Sequence, residues 1–441
     1  MTKRYLEFIN NKKQKYMKFL KKLTPFTLPF LLAACGNDDL DPSYIHVPNS
    51  YEFTSLTDPS APSSVDYREA TTRLALIKEL EYVISSYTLQ AYGEANGRDA
   101  VIDLLNRVYQ GGTILDEANN LVVVNLHDDS STPTPVKGIN ISETSLTFGN
   151  EAFTENTNIK NAVPSDMNDT IQGWFLKIAN IATDGDYTSL YTKDGYDYKA
   201  LIIGYLSVTM PFYQVSNTYL NTSSLTANNT RNDSSTPYTQ LEHNWDLAFG
   251  YFGTSASAKT QSLESIIASN QGSVSQLNNY VFDMAAATAQ RDLDSTLREA
   301  NFSQLIIEDF LNGRAVISLG EGHELYSNQT TLINNHAESI LYNWEKALAA
   351  TLIYHIKNTI INRYIPTKYD YHWAMMTIYA QAIPMDPNAL LAPEVIADLI
   401  KTKVDATDIN KQTKYLATLF NAEQSIQQTY SFSESDVASW R

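Results

Sequence analysis

Apolar residues recur at intervals of three and four along most of this chain, which is the period of an α-helix. Ala70, Leu74, Ile77, Leu80 and Ile84 mark the first such stripe, within 66–92. A second helical pattern runs over 96–109 and is stopped by Gly111-Gly112. The period is lost over 113–164, which is rich in Asn, Thr, Ser and Asp and has one β-like run, Leu121-Val122-Val123-Val124. This stretch reads as a long decorated loop with room for a small hairpin. Helical spacing returns over 165–182, through Met167, Ile171, Trp174, Phe175 and Ile178, and again over 196–220. Beyond a polar segment at 221–237, helices are expected at about 240–252, 273–310, 330–364, 368–383, 393–401 and 409–420.

The clearest stripe is Leu332, Ile333, His336, Ala337, Ile340, Leu341, Trp344, Ala347, Leu348, Thr351, Leu352, His355, Ile356 and Thr359. An apolar face that long needs partners along its whole length, which means a bundle. Ile365-Pro366 ends it, because proline disfavours helix at the residue before it. Strands do not alternate with helices anywhere, which argues against a doubly wound sheet. The expected fold is all-α, a multi-helix bundle with long decorated loops. The chain divides into an N-terminal helical part at 51–220 carrying the 113–164 insertion, and a C-terminal helical bundle at 238–441, with 221–237 as the boundary.

Composition sharpens this picture. At 441 residues, 43% hydrophobic and 18% charged, the chain is long enough for a sizeable core and too apolar to be disordered. A net charge of −17 argues against holding a nucleic-acid backbone, so no nucleic-acid partner is expected. The single cysteine rules out an intramolecular disulfide. That cysteine has a particular setting. Residues 1–34 hold eight basic residues against one acid, Glu7, followed by an apolar run at 26–34, about half of the ~20 residues a bilayer helix needs. This is the pattern of a signal peptide. It ends in Leu32-Ala33-Ala34-Cys35, which looks like the bacterial lipobox and makes Cys35 the lipid attachment point; the other reading of Cys35 is a small buried residue after an apolar run. Met17 heads a compact version of the same peptide, so translation starting there would omit 1–16. Removing 1–34 leaves 24 basic and 48 acidic residues, a charge of −24 on the 407 residues that remain. Acyl chains would then hold the protein to a membrane, with 35–50 as a flexible tether. Asp38 and Asp39 resemble an acidic surface-export signal, or are simply a solvated tether.

Candidate chemistry is sparse. Glu242-His243-Asn244-Trp245-Asp246 is the most compact polar group. Glu242 and Asp246 fall about 40° apart on a helix surface and border its apolar face, so with ligands from other helices they suit a divalent cation. Two acids in the first turns also simply favour the positive end of a helix. His336 and His355 both lie on the long stripe, roughly 28 Å apart, too far to share a metal, and a histidine on an apolar stripe is usually a satisfied core residue. His372 has the same character. His323 lies in a glycine-containing loop beside Glu321 and Glu324, where it would bind a cation or stay solvated. Asp184-Gly185-Asp186 and Asp194-Gly195-Tyr196-Asp197 lack full calcium-loop spacing and read as turns. The familiar hydrolase, P-loop, redox and haem-attachment motifs are absent. The 28 tyrosines suit either recognition or helix packing.

Several blocks carry a resemblance: Ser50-Tyr51-Glu52-Phe53, Ser64-Val65-Asp66-Tyr67, Gly173-Trp174-Phe175, Gly313-Arg314-Ala315, Trp344-Glu345-Lys346, His372-Trp373 and, above all, the run Glu242 through Gly253 containing WDLAFGYFG. They resemble an uncharacterised family of Gram-negative bacterial lipoproteins, a domain of unknown function. The resemblance implies an all-helical relative or companion of the imelysin-like proteins, helical lipoproteins associated with iron-regulated systems. The G-x-H-x-x-E motif of those proteins is missing, since Gly322 directly precedes His323, and Met375 stands where relatives carry a glutamate. The resemblance implies a lipid-anchored envelope protein, at the periplasmic or surface face of the outer membrane. It would act in acquisition or handling of iron, another metal or a metal-bearing ligand, beside an outer-membrane receptor or an imelysin-like protein. A divalent or ferric ion would be held by Glu242, His243 and Asp246, with Glu345 or His372 from neighbouring helices. The alternatives are a metal-dependent hydrolase of the envelope, with Glu242 or Asp246 as general base, and a structural lipoprotein that binds a receptor.

Overall fold

The computed structural model describes residues 45–58, 60–85, 87–110, 139–144, 167–184, 195–231, 236–260, 302–400, 403–404 and 408–440. The expected signal peptide, Cys35, most of the tether, the 121–124 run and the 273–301 part of one expected helix lie outside the described residues.

The fold is all-α, with no strand among the described residues. The expected first helix is two, Arg68–Ser85 (α1) and Tyr87–Asn96 (α2), followed by Arg98–Tyr109 (α3). Met167–Thr183 (α4) packs on α2 and α3. Of the 113–164 insertion the described part is 139–144, where the buried Arg73 of α1 holds it: Nε donates to the Asn140 carbonyl at 3.0 Å and Nη2 to Glu143 at 3.0 Å.

Tyr198–Gly204 (α5) continues through a π-helical stretch Tyr205–Thr209, an α-turn Met210–Tyr213 and a second π-helical stretch Gln214–Tyr219. The cause lies in the sequence. Pro211 has no amide hydrogen to give the ladder, and its ring crowds the carbonyl four residues back, so the preceding turn widens. Ser207 and Ser216 each donate to the carbonyl four residues back, at 2.5 and 2.8 Å, which softens the same turns.

Gln240–Phe252 (α6) is the centrepiece, in contact with α1 and with Phe302–Leu319 (α7). Both ends are written locally. Thr239 and Glu242 form a capping box, with Glu242 N to Thr239 Oγ1 at 3.2 Å and Thr239 N to Glu242 Oε2 at 2.9 Å. Gly253 closes the helix at φ 75°, a left-handed conformation that glycine adopts without strain. α7, Ser327–Ile361 (α8) and Pro366–Ala382 (α9) are consecutive, joined by short turns and packed on one another. Pro366 stands at the start of α9, where its missing N–H costs nothing. Pro393–Leu399 (α10), Ile409–Tyr430 (α11) and Glu434–Ser439 (α12) complete the chain, and α11 lies along α8. Between α6, α7, α8 and the π-helical rod sits an aromatic core in which Phe252 and Phe212 meet Trp344 at 5.2 and 5.6 Å, and Phe249 meets Phe310 at 5.6 Å. Among the described residues no helix is long and apolar enough to cross a membrane.

Candidate functional site

Glu242 and Asp246 are brought together, one turn apart on α6 and both fully buried, and their counter-ion is an arginine. Arg314, on α7, has no exposed surface. Its Nε donates to Asp246 Oδ1 at 2.8 Å and its Nη1 to Glu242 Oε1 at 2.6 Å and to Ser318 Oγ, while Nη2 donates to the carbonyl and hydroxyl of Ser64, both at 3.1 Å. All five guanidinium N–H groups are thus used. Asp246 also accepts from the Tyr51 hydroxyl at 2.8 Å and the Asp66 amide at 3.1 Å. Glu242 spends its other oxygen on the capping box.

Burial pushes both carboxyls up from their ordinary range, and the Arg314 charge pulls them back. Burial also disfavours the guanidinium, but Asp246 and Glu242 outweigh it and hold Arg314 charged. Burial, followed by the Asp246 charge, lifts the Tyr51 phenol well above its usual value. Chemically this is a closed knot. It ties the 51–66 segment to α6 and α7, with a cationic side chain in the place the sequence reading gave to a metal. A surface hollow of about 230 Å³ opens beside it over Tyr51, Ser63, Asp66 and Tyr67, but Glu242, Asp246 and Arg314 are not on its wall.

The other expected ligands lie elsewhere. His243 Nδ1 sits 3.0 Å from the Asp66 carbonyl, and its ring stacks on Tyr238 at 4.6 Å. Glu345, on α8, is buried and accepts from the Leu390 amide at 2.7 Å and the Tyr430 hydroxyl at 2.6 Å. His372, on α9, faces His355 on α8, with Nδ1 atoms 3.1 Å apart, in a setting of aromatic rings in which Tyr379 stacks on His355 at 5.3 Å. Burial, then the charge of Lys368 one turn earlier, brings the His372 imidazole down to about 4, so it is neutral at ordinary pH. Glu345 is ten residues from His355, roughly 15 Å along α8. No group of three or more His, Cys, Asp and Glu among the described residues is arranged to hold a metal ion.

His336 is bound to Asp309 at 2.8 Å. Glu321 turns inward to accept from Ser55, Leu56 and Thr57, each at 2.5 Å, whereas His323 and Glu324 line a cleft of about 340 Å³ with Asn228, Asn229 and Thr330. Asp197 caps α5 by accepting from the Ala200 amide at 2.9 Å.

Sequence reasoning missed Arg314 as the partner of the two acids and His355 as the partner of His372. The second had a signal. A fold-back at the proline break places its midpoint between 363 and 364, and 355 and 372 are equidistant from that point. The first had only the Gly313-Arg314-Ala315 block. Gly313 makes the site possible: a Cβ there would lie 2.1 Å from the Trp245 ring, whose Nε1 donates to the Phe310 carbonyl at 2.9 Å.

Residues 48–363 match the family described as Domain of unknown function (DUF4856). No curated protein and no solved structure matches the chain.

Proposed function

This chain belongs to the DUF4856 family, a domain of unknown function, and from that premise we propose that it is a lipid-anchored, non-catalytic binding protein of the bacterial envelope. Its role would be acquisition or handling of iron, another metal or a metal-bearing ligand. The observation that carries the anchored reading is Leu32-Ala33-Ala34-Cys35, with the lone cysteine where acylation needs it. Binding is favoured over hydrolysis by the burial of Glu242 and Asp246 against Arg314. A general base must reach substrate or a water, and neither carboxylate is open to either.

The Glu242–His243–Asp246 set does not fit a metal, since Arg314 already neutralises the carboxylates and His243 is turned to Asp66 and Tyr238. His355 and His372 fit better as donors. Two nitrogens 3.1 Å apart match the spacing of cis ligands on an ion held at ~2.0–2.1 Å from each. Mass spectrometry of the protein from bacterial membranes tests the anchor: a diacylglyceryl group on Cys35 supports it, and an unmodified, soluble chain refutes it. Elemental analysis and melting with added iron, zinc or copper test the ligand. No metal and no shift would leave the receptor-binding lipoprotein as the better reading.

A further inference from the structure

The turn joining α8 and α9 differs in charge and polarity from the rest of the protein. Between Glu345 and Asp370 the sequence has no acidic residue and four basic ones, Lys346, Lys357, Arg363 and Lys368, in a chain whose mature part carries −24. Lys346 lies over the rings of Phe302, Tyr342 and Phe432, and Lys357 reaches Glu423 at 3.6 Å. That leaves Arg363 and Lys368 at the turn, where neither pairs with a carboxylate among the described residues. All of 364–368 is exposed. Ile361 is 60% exposed, Tyr364 71% and Ile365 46%. The Arg363 guanidinium lies 4.4 Å from the Tyr364 ring centre and donates to the Ile360 carbonyl at 2.8 Å, which keeps cation and ring together. Tyr371, 42% exposed, adds a ring one turn into α9. Glu81 and Asp197, which act on Tyr371, are themselves engaged, Glu81 with Lys199 at 3.5 Å and Asp197 as the cap of α5.

Single exposed apolar residues need no explanation. Three within five positions, at a helix turn, with Arg363 among them and Lys368 just after, have the composition of a membrane-interface contact. Tyrosine rings and basic side chains suit the headgroup level, and aliphatic side chains suit the layer below. We propose that residues 361–368 form a contact site for an anionic lipid surface. The acidic body would be repelled by such a surface while this turn is drawn to it, so the contact sets which end of α8 faces the bilayer.

The proposal rests on the anchored reading. Tyr51, fixed to the Ala256 carbonyl, is sixteen residues from Cys35, up to roughly 50 Å of chain.

The test uses the chain from residue 35 onward with Cys35→Ser, which keeps every described element and removes acylation. A Thr367→Cys version carries an environment-sensitive dye. Sedimentation with phosphatidylglycerol-containing vesicles should exceed that with phosphatidylcholine vesicles at least fivefold, and the dye should shift to the blue. Tyr364→Asp with Ile365→Asp, and separately Arg363→Glu with Lys368→Glu, should each reduce binding at least tenfold at unchanged melting temperature. Phe420→Asp, at an exposed position elsewhere, should change nothing. Equal binding to both vesicle types, or turn variants that bind like the parent, overturns the proposal. So does the absence of vesicle binding together with turn-dependent capture of a protein partner. Absence of acylation on Cys35 in the full chain would instead sink the anchored reading and leave the vesicle result standing.

Discussion

Arg314 Nε donates to Asp246 Oδ1 at 2.8 Å across 68 positions of sequence, with both side chains wholly removed from water. A charge in that setting is tolerable only because every donor and acceptor around it is matched. One guanidinium thereby joins α6, α7 and the Ser64 backbone, and the acids that most resembled metal ligands act as its frame.

Arg314→Met should therefore destabilise the fold by about 3–5 kcal/mol, because it leaves two buried carboxylates without a counter-ion. Arg314→Lys should cost less, since the charge survives and only the fork is lost. Urea unfolding of the three proteins measures the order, and a loss under 1 kcal/mol for the Met variant would show that the knot contributes little.

Gly313→Ala adds only a methyl group, yet it meets the Trp245 ring at 2.1 Å. Overpacking of this kind should cost about 1–3 kcal/mol and disturb Trp245. Thermal melting together with the tryptophan near-ultraviolet signal checks both, and a variant that melts with the parent would mean α6 and α7 can separate freely.

His372 gives a pH dependence whose sign can be worked out. Its imidazole is brought down to about 4 in the folded chain by burial and then Lys368, against 6.5 ordinarily. Between those values the unfolded chain binds more protons, so this contribution is complete above pH 6.5 and is lost as pH falls toward 4, by about 3 kcal/mol at most. In chelator-treated protein, His372→Phe should flatten the slope of stability against pH in that window. An unaltered slope would place the titration elsewhere.

Metal binding, if measured, separates the two candidate sets. His355→Ala and His372→Ala should each abolish zinc or copper uptake, whereas Glu242→Gln should lower the melting temperature and leave uptake unchanged. The reverse pattern in calorimetric titrations would return the site to α6.

The helices were legible in the sequence because their causes are local. The three-four stripe from Leu332 to Thr359 becomes buried surface of α8 for most of its length, Thr239 with Glu242 and Gly253 delimit α6, and Pro366 starts α9. Where local signals conflict, the outcome was less legible. The π-helical stretch before Pro211 lies where the missing amide and the ring interrupt a regular helix.

Which charges meet was decided by tertiary structure alone. A pair of acids on one helix face has the same pattern whether its partner is a metal, a solvent shell or an arginine on another helix, because spacing records angle and not neighbours. Gly313 lets the Trp245 ring lie against α7, and that packing brings Arg314 onto Asp246. The hairpin turn at 363–364 likewise brings His355 to His372. The sequence by itself determined an acidic, helical chain with a lipobox-like start. Packing determined that its most suggestive carboxylates are structural, since only the folded chain places a buried cation beside them.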